Sequence, residues 1–437
     1  PLMLERQCLQ PLAKLGKKRS VNPTDFFFRP APASTWRRRM YQTLSLAALA
    51  SPLLLPFYPG LGALAIVLAF ATNMFVYYSR RSEIRADLAA LGYIVQLVQL
   101  IGRMLGGPLA SPGLRDFSLA LRHRYESVRA IGKRRIFLFF TGSGAIADLL
   151  FEYVKILLLR ELIDYENLCR EISLRRDALW DAYASIGFLD SAISIASFRE
   201  SVPFFCEPDL SKCGSGCGKH LEFADLYHPL IREPVANSLS IDRPILVTGS
   251  NASGKSTFLK TVAVNAILAQ SFHTCLARRY ASSLFTVFTS MALRDNLRDG
   301  ESYFIAEIKS IKRILDSGDG DAPCLCLIDE VLRGTNTVER IAASSQVLLE
   351  LGRQNRLCIA ATHDVELTFI LENGYRNVHF QERITGDGVE FDYKLRDGRA
   401  AGRNAIKLLR LMGYAPSIVE DAERRADGFL RHGSWLP

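Results

Sequence analysis

The chain has 437 residues, 49% of them hydrophobic and 23% charged, and its 54 basic against 45 acidic side chains give a net charge of +9. The length suggests two or three domains, and the hydrophobic share is at the high end of ordinary for a soluble chain, which matters because the excess is concentrated in one region. The basic excess is moderate and no aromatic–basic interleaving marks a nucleic-acid surface, while nine cysteines, three of them inside apolar runs (Cys324, Cys326, Cys358), fit a reducing cytosol.

Residues 1–35 are basic with little periodicity and read as a cytoplasmic tail. They open on Pro1 rather than Met, as in a truncated or processed product. Residues 43–78 then carry no charge. One membrane span needs about 20 apolar residues, so this stretch is long enough for two limbs joined at Tyr58-Pro59-Gly60. Arg37-Arg38-Arg39 before it and Arg80-Arg81 after it place both outer ends in the cytoplasm. Trp36, Tyr77 and Tyr78 suit the membrane interface. We therefore read 36–81 as a transmembrane helical hairpin in the cell (inner) membrane, multi-pass, with the bilayer as a partner. Pro52 and Pro56 kink the short first limb or make it re-entrant. A cleaved signal peptide is excluded by the length of the apolar region.

Residues 82–205 show helical spacing in Ile84-x-x-Asp87-Leu88-x-x-Leu91 and Leu150-Phe151-x-x-Val154-x-x-Leu157-Leu158. Ile136–Leu159 is apolar enough for a third span, but Asp148, Glu152 and Lys155 favour a helix packed in a core. Basic clusters at 16–20, 37–39, 122–135 and 174–176 suit phosphates of nucleic acid or of lipid. Cys213 and Cys217, near Cys206 and His220, lack a clear partner pair for a four-ligand metal site and read as a loop.

The chemistry lies in residues 206–437. Pro244–Thr248 is a short β-branched run, and Thr257–Gln270 is apolar at helical spacing. Between them stands Gly249-Ser250-Asn251-Ala252-Ser253-Gly254-Lys255-Ser256, a complete G-x-x-x-x-G-K-S phosphate loop. Amides of such a loop and the helix N-terminus form a positive nest for phosphates. Gly249, Asn251, Ser253, Gly254, Lys255, Ser256 and Thr257 are the expected nucleotide contacts, with Lys255 on the β/γ-phosphates and Ser256 on Mg²⁺. Downstream, the apolar run Cys324–Ile328 ends in Asp329-Glu330. Asp329 then belongs to the metal shell, and Glu330 stands where a water can be activated against the γ-phosphate of ATP.

Four further segments carry a resemblance. Asp329-Glu330-Val331-Leu332-Arg333-Gly334-Thr335-Asn336-Thr337, Ser302-Tyr303-Phe304-Ile305-Ala306-Glu307, Ala361-Thr362-His363-Asp364, and Gly402–Ala422 stand in order at plausible spacing. His228-Pro229 and Glu233-Pro234-Val235-Ala236-Asn237 fit the approach to the first strand. Over roughly residues 200–425 the chain resembles the MutS family of DNA mismatch-repair ATPases. The resemblance implies an α/β P-loop NTPase domain (the ABC-like, MutS ATPase domain) at 206–437, an all-α lever-like region at 82–205, and DNA as a partner. It implies a homodimer in which Ser302 of one subunit completes the other's ATP site, with His363 sensing the γ-phosphate. Ser250, Ala252 and Ser253 replace the family's usual loop residues, and Val235 stands where many members carry an aromatic that stacks on adenine. Nothing resembles the family's mismatch-reading domain. The ATPase cycle thus serves either a DNA transaction or a membrane-associated switch without mismatch recognition.

Overall fold

A computed structural model describes residues 34–107, 109, 112–133, 145–210, 219–250, 253–291, 303–317, 322–353, 355–385, 388–400 and 405–432. Asn251, Ser302, Cys213 and Cys217 lie outside the described residues. The chain divides into two compact units after Phe198.

The first unit is helical. Helix α1 (Thr35–Ala50) is capped by Ser34, whose hydroxyl accepts from the Arg37 amide. A 3-10 turn over Ser51–Leu54 follows, and Pro59 opens α2 (Pro59–Leu105), where its missing N–H costs nothing. Residue 81, expected to end the hairpin, falls inside α2. No breaker interrupts the helix before Gly106, so the chain runs unbroken for 47 residues, about 70 Å. The two halves of α2 differ. Leu64, Val67, Leu68 and Phe75 are exposed, whereas Leu91, Ile94, Val98 and Ile101 are buried. Pro59–Arg85 and Asp87–Leu105 are each long and apolar enough to cross a membrane, and only the second is mostly covered by protein.

The rest of this unit is α3 (Arg115–Lys133), α4 (Ala145–Leu158), α5 (Arg160–Leu174) and α6 (Arg176–Ser201). Leu159, at φ +44, breaks α4 from α5. Leu121, Val128, Leu168, Ile172 and Leu179 close the core against the second half of α2. Of the Ile136–Leu159 segment, residues 136–144 lie outside the described residues. In α4, Ile156 is buried while Tyr153 and Val154 are exposed.

The second unit begins inside the last turn of α6, seven residues before the expected boundary. Arg199 ties that turn to the unit by donating to Thr274 Oγ1 (2.9 Å) and His273 O (2.8 Å). An antiparallel sheet β2-β1-β4 is built from β1 (Leu221–Leu226), β2 (Asn237–Ile241) and β4 (Arg279–Ser282). The main sheet has the order β5-β6-β7-β3-β8-β9. It comprises β3 (Ile245–Thr248), β5 (Thr286–Ser290), β6 (Cys324–Asp329), β7 (Arg356–Ala361), β8 (Arg376–Thr385) and β9 (Gly388–Asp397). All neighbours are parallel except β9, which turns back antiparallel on β8.

Alternate residues of the central strands serve opposite faces. Ile245, Val247, Leu325, Leu327 and Ile359 pack with Leu259 and Val262 of α7 (Lys255–Phe272). Leu246, Cys326, Ile328, Cys358 and Ala360 pack on the other face with Ile311 and Ile314 of α8 (Tyr303–Asp316) and Leu348 of α9 (Thr337–Leu351). Burial on both faces explains why these strands read as continuous apolar runs rather than alternating ones. Short α10 (Val365–Ile370) follows β7, and α11 (Ala405–Leu411) and α12 (Pro416–His432) end the described chain.

Candidate functional site

Three adjacent parallel strands deliver their C-terminal ends to one edge of the main sheet. Val247 on β3 and Asp329 on β6 both pair with Ala361 on β7. The loops that leave there are stitched together, Thr362 N donating to Val247 O (3.0 Å) and Glu330 N to Ala361 O (2.9 Å). In an open parallel sheet this edge is where ligands bind. Here it opens into a cleft of about 1050 Å³ lined by Ser253, Lys255, Ser256, Thr257, Asp329, Glu330 and His363.

The loop after β3 turns on two glycines. Gly249 (φ +147) could not carry a Cβ, which would lie 2.8 Å from Ser253 Oγ and 3.0 Å from Phe380 O. Gly254 takes φ +105 and opens α7. Buried Lys255 points back over the loop, donating to Gly249 O (2.7 Å) and Ser250 O (2.9 Å), with its Nζ 3.3 Å from His363 Nε2. Burial is the main cause that pushes its ammonium down to about 8, against the pull of Glu330 and Asp329. A cation held on carbonyls within a desolvated nest is placed where an anion would be received. The Ser253 hydroxyl is also buried without a partner among the described residues. Backbone glycines, Lys255 and this orphan hydroxyl are a donor set that fits a phosphate chain. Ser256 and the carboxylate of Asp329 on the same cleft supply the oxygen ligands that Mg²⁺ prefers.

Glu330 sits at φ +64, an unusual conformation for a non-glycine residue. Its Oε1 is 3.1 Å from His363 Nε2 and its Oε2 is 3.1 Å from Arg333 Nε. The hydrogen bond from His363 holds its carboxyl below the usual carboxylate range, so it is ionised at neutral pH. Leu332 is also left-handed (φ +57), and its amide donates to Oε1 of Glu307, a buried carboxylate reaching up from α8. Burial raises the Glu307 carboxyl, and its Oε2 has no hydrogen-bond partner among the described residues. Thus α8 props the strained Glu330–Leu332 loop from below. On the other flank, Arg340 of α9 grips Asp364 through two hydrogen bonds of 2.9 and 2.6 Å, fixing the turn that carries His363.

The sequence pattern did not reveal Tyr393. It lies on β9 at φ +53, lines the cleft, and its ring would stand 3.2 Å from a Cβ on Gly254. Asn237 locks it in place, donating to Tyr393 O (3.0 Å) and accepting from Leu395 N (2.7 Å). An aromatic ring therefore borders the same cleft as Val235. Ser250 Oγ donates to Glu382 Oε2 (2.6 Å), a second link from the loop to the β8–β9 hairpin.

Residues 245–429 match the family model described as MutS domain V. The chain is 28% identical over 275 residues to the DNA mismatch repair protein MutS of Natronomonas pharaonis, covering 60% of this chain and 31% of that protein. It is 34% identical over 203 residues to the MutS of Thermosipho melanesiensis, covering 44% and 24% respectively. With the DNA mismatch repair protein MSH3 of Phaeosphaeria nodorum it shares 28% over 275 residues, 59% of this chain and 24% of that one. The chain thus spans a quarter to a third of the length of the curated relatives it matches.

Proposed function

Taking residues 245–429 as a MutS domain V, we propose that this protein is a membrane-anchored ATPase that hydrolyses ATP to ADP and phosphate at sites shared between two copies of the chain. The observation that carries the reading is the convergence of Lys255, Glu330 and His363 at one sheet edge, with His363 Nε2 3.3 Å from Lys255 Nζ and 3.1 Å from Glu330 Oε1.

Lys255 and the loop amides hold the phosphate chain, and Ser256 with Asp329 would hold Mg²⁺, which would supply neutralisation of phosphate charge. Glu330, ionised and aimed by His363 and Arg333, accepts a hydrogen bond from the attacking water and orients it. His363 lies between Lys255 and Glu330 and reports on both. Tyr393 offers its ring to the base, the service that Val235 cannot give. Ser302 of a second copy completes the site.

The relatives are named for DNA mismatch repair, and DNA is accordingly the first partner to test for the cycle. In a second reading the cycle drives a membrane-associated switch without mismatch recognition; the exposed apolar surface of Leu64, Val67, Leu68 and Phe75 supports the membrane attachment common to both. Both place α1 and the first half of α2 in the inner membrane and the second unit in the cytoplasm. The experiment is phosphate release by detergent-solubilised protein with and without duplex, mismatched and branched DNA. ATP-dependent release supports the ATPase, and its absence in monodisperse protein contradicts it. A rate that responds to mismatched over matched duplex selects the first reading; indifference to every DNA selects the second.

A further inference from the structure

We propose that α4 is an interfacial membrane helix, lying beside the hairpin with its face of Tyr153, Val154, Leu157 and Leu158 in the headgroup–acyl boundary of the bilayer. The inference rests on the proposed insertion of α2 and assigns the bilayer a second contact.

Neighbouring residues of α4 reach positions far apart on α2. Glu152 Oε1 is 3.2 Å from Arg81 Nη1, while the Tyr153 ring lies 6.2 Å, centroid to centroid, from that of Phe70. Arg81 and Phe70 are eleven residues apart, roughly 16 Å along the helix. One edge of α4 is therefore turned toward the Arg81 end of α2 and the other toward the apolar half. Asn73, fully buried, fixes the level by donating to Leu157 O (2.8 Å), a carbonyl freed where Leu159 ends the helix. Tyr77 donates to Glu161 Oε2 (2.7 Å) just beyond the break.

Depth follows from this register. If Tyr78–Arg81 marks the membrane surface, as aromatic and basic residues do, Asn73 and Phe70 lie roughly 7 and 12 Å below it. Tyr153 and Leu157 of α4 meet them, and beside these Val154 is exposed and Leu158 half-buried. An amphipathic helix in the boundary sinks about 5–10 Å. Glu152, on the edge toward Arg81, keeps its charge paired at the surface.

The test uses full-length protein carrying Trp36→Phe, Trp180→Phe and Trp435→Phe, reconstituted in phosphatidylcholine vesicles. Single tryptophans are returned by Tyr153→Trp, by Val154→Trp as an independent reporter on the same face, and by Leu68→Trp on the hairpin. Circular dichroism verifies the fold of each. Lipids brominated near the carbonyl end or near the methyl end of their chains quench by depth. We expect Leu68→Trp to be quenched more by the deep bromine, and both α4 reporters about twofold more by the shallow one. Quenched Leu68→Trp beside unquenched α4 reporters overturns this inference and leaves the hairpin standing. Stronger deep quenching at Tyr153 and Val154 also overturns it, by making α4 a span. Absence of quenching at all three positions overturns the insertion of α2 itself and this inference with it.

Discussion

Glu330 and His363 stand 3.1 Å apart, Oε1 to Nε2, although they leave two different strands of the main sheet. The contact exists because β6 and β7 pair in register up to Asp329 and Ala361, so Glu330, one residue past β6, and His363, two residues past β7, turn into the same cleft. Lys255 closes the row from β3. A carboxylate, an imidazole and an ammonium in line form a charge arrangement that an anionic ligand must reorganise.

The prop beneath this row gives a first prediction. Glu307→Ala removes the acceptor for the Leu332 amide and frees a loop holding two left-handed non-glycine residues. A buried amide left unpaired costs about 1–3 kcal/mol. Turnover should fall about tenfold or more with a smaller change in nucleotide affinity, and Glu307→Gln, which keeps an oxygen acceptor, should restore most of it. Steady-state kinetics of the two variants decide the matter, and equal losses in both would argue against the prop.

The depressed Lys255 gives a pH prediction. Its ammonium titrates near 8 in the folded protein against an ordinary 10.5. Between those values the unfolded chain binds a proton that the folded one lacks. The cost to stability is therefore full below about pH 8 and lifts as pH rises toward 10.5. Phosphate binding runs the other way, because it needs the charged form. ATP affinity should weaken as pH rises through 8, by up to about tenfold per unit, with proton uptake on binding seen calorimetrically in buffers of different ionisation enthalpy. Flat affinity between pH 7 and 9.5 would place the Lys255 proton elsewhere.

Shared sites give a third. Lys255→Ala and Ser302→Ala chains each damage every site of their own dimers. Mixed dimers contain one doubly damaged site and one intact site if Ser302 acts across the interface. Mixing inactive partners should then recover activity toward that of one normal site. No recovery despite verified subunit exchange would confine Ser302 to its own chain.

Parts of the site were legible because their chemistry is local. Gly249, Gly254 and Lys255 belong to one loop, and Asp329-Glu330 closes an apolar run that could only be a buried strand. Other parts depend on contacts the chain makes at long range. Tyr393 reaches the cleft only because β9 folds back antiparallel on β8, about 140 residues after the loop it borders. Glu307 was visible as the end of a motif, but its grip on Leu332 depends on how α8 packs under the sheet. The Arg340–Asp364 clamp joins a helix to a turn 24 residues on, with no spacing rule to announce it. In the helical unit, spacing gave helices but not the break at Leu159, a left-handed residue no propensity foretells, nor the open apolar face before it.

The central claim is that Glu330 activates water against a phosphate held by Lys255. Glu330→Gln keeps the size and a hydrogen-bonding oxygen but removes the charge that polarises water. Paired measurements of ATP affinity and of phosphate release on this variant test the claim most directly. Affinity should stay within about threefold of the parent while release falls by about 100-fold or more. Release at the parent rate with affinity unchanged would contradict the account.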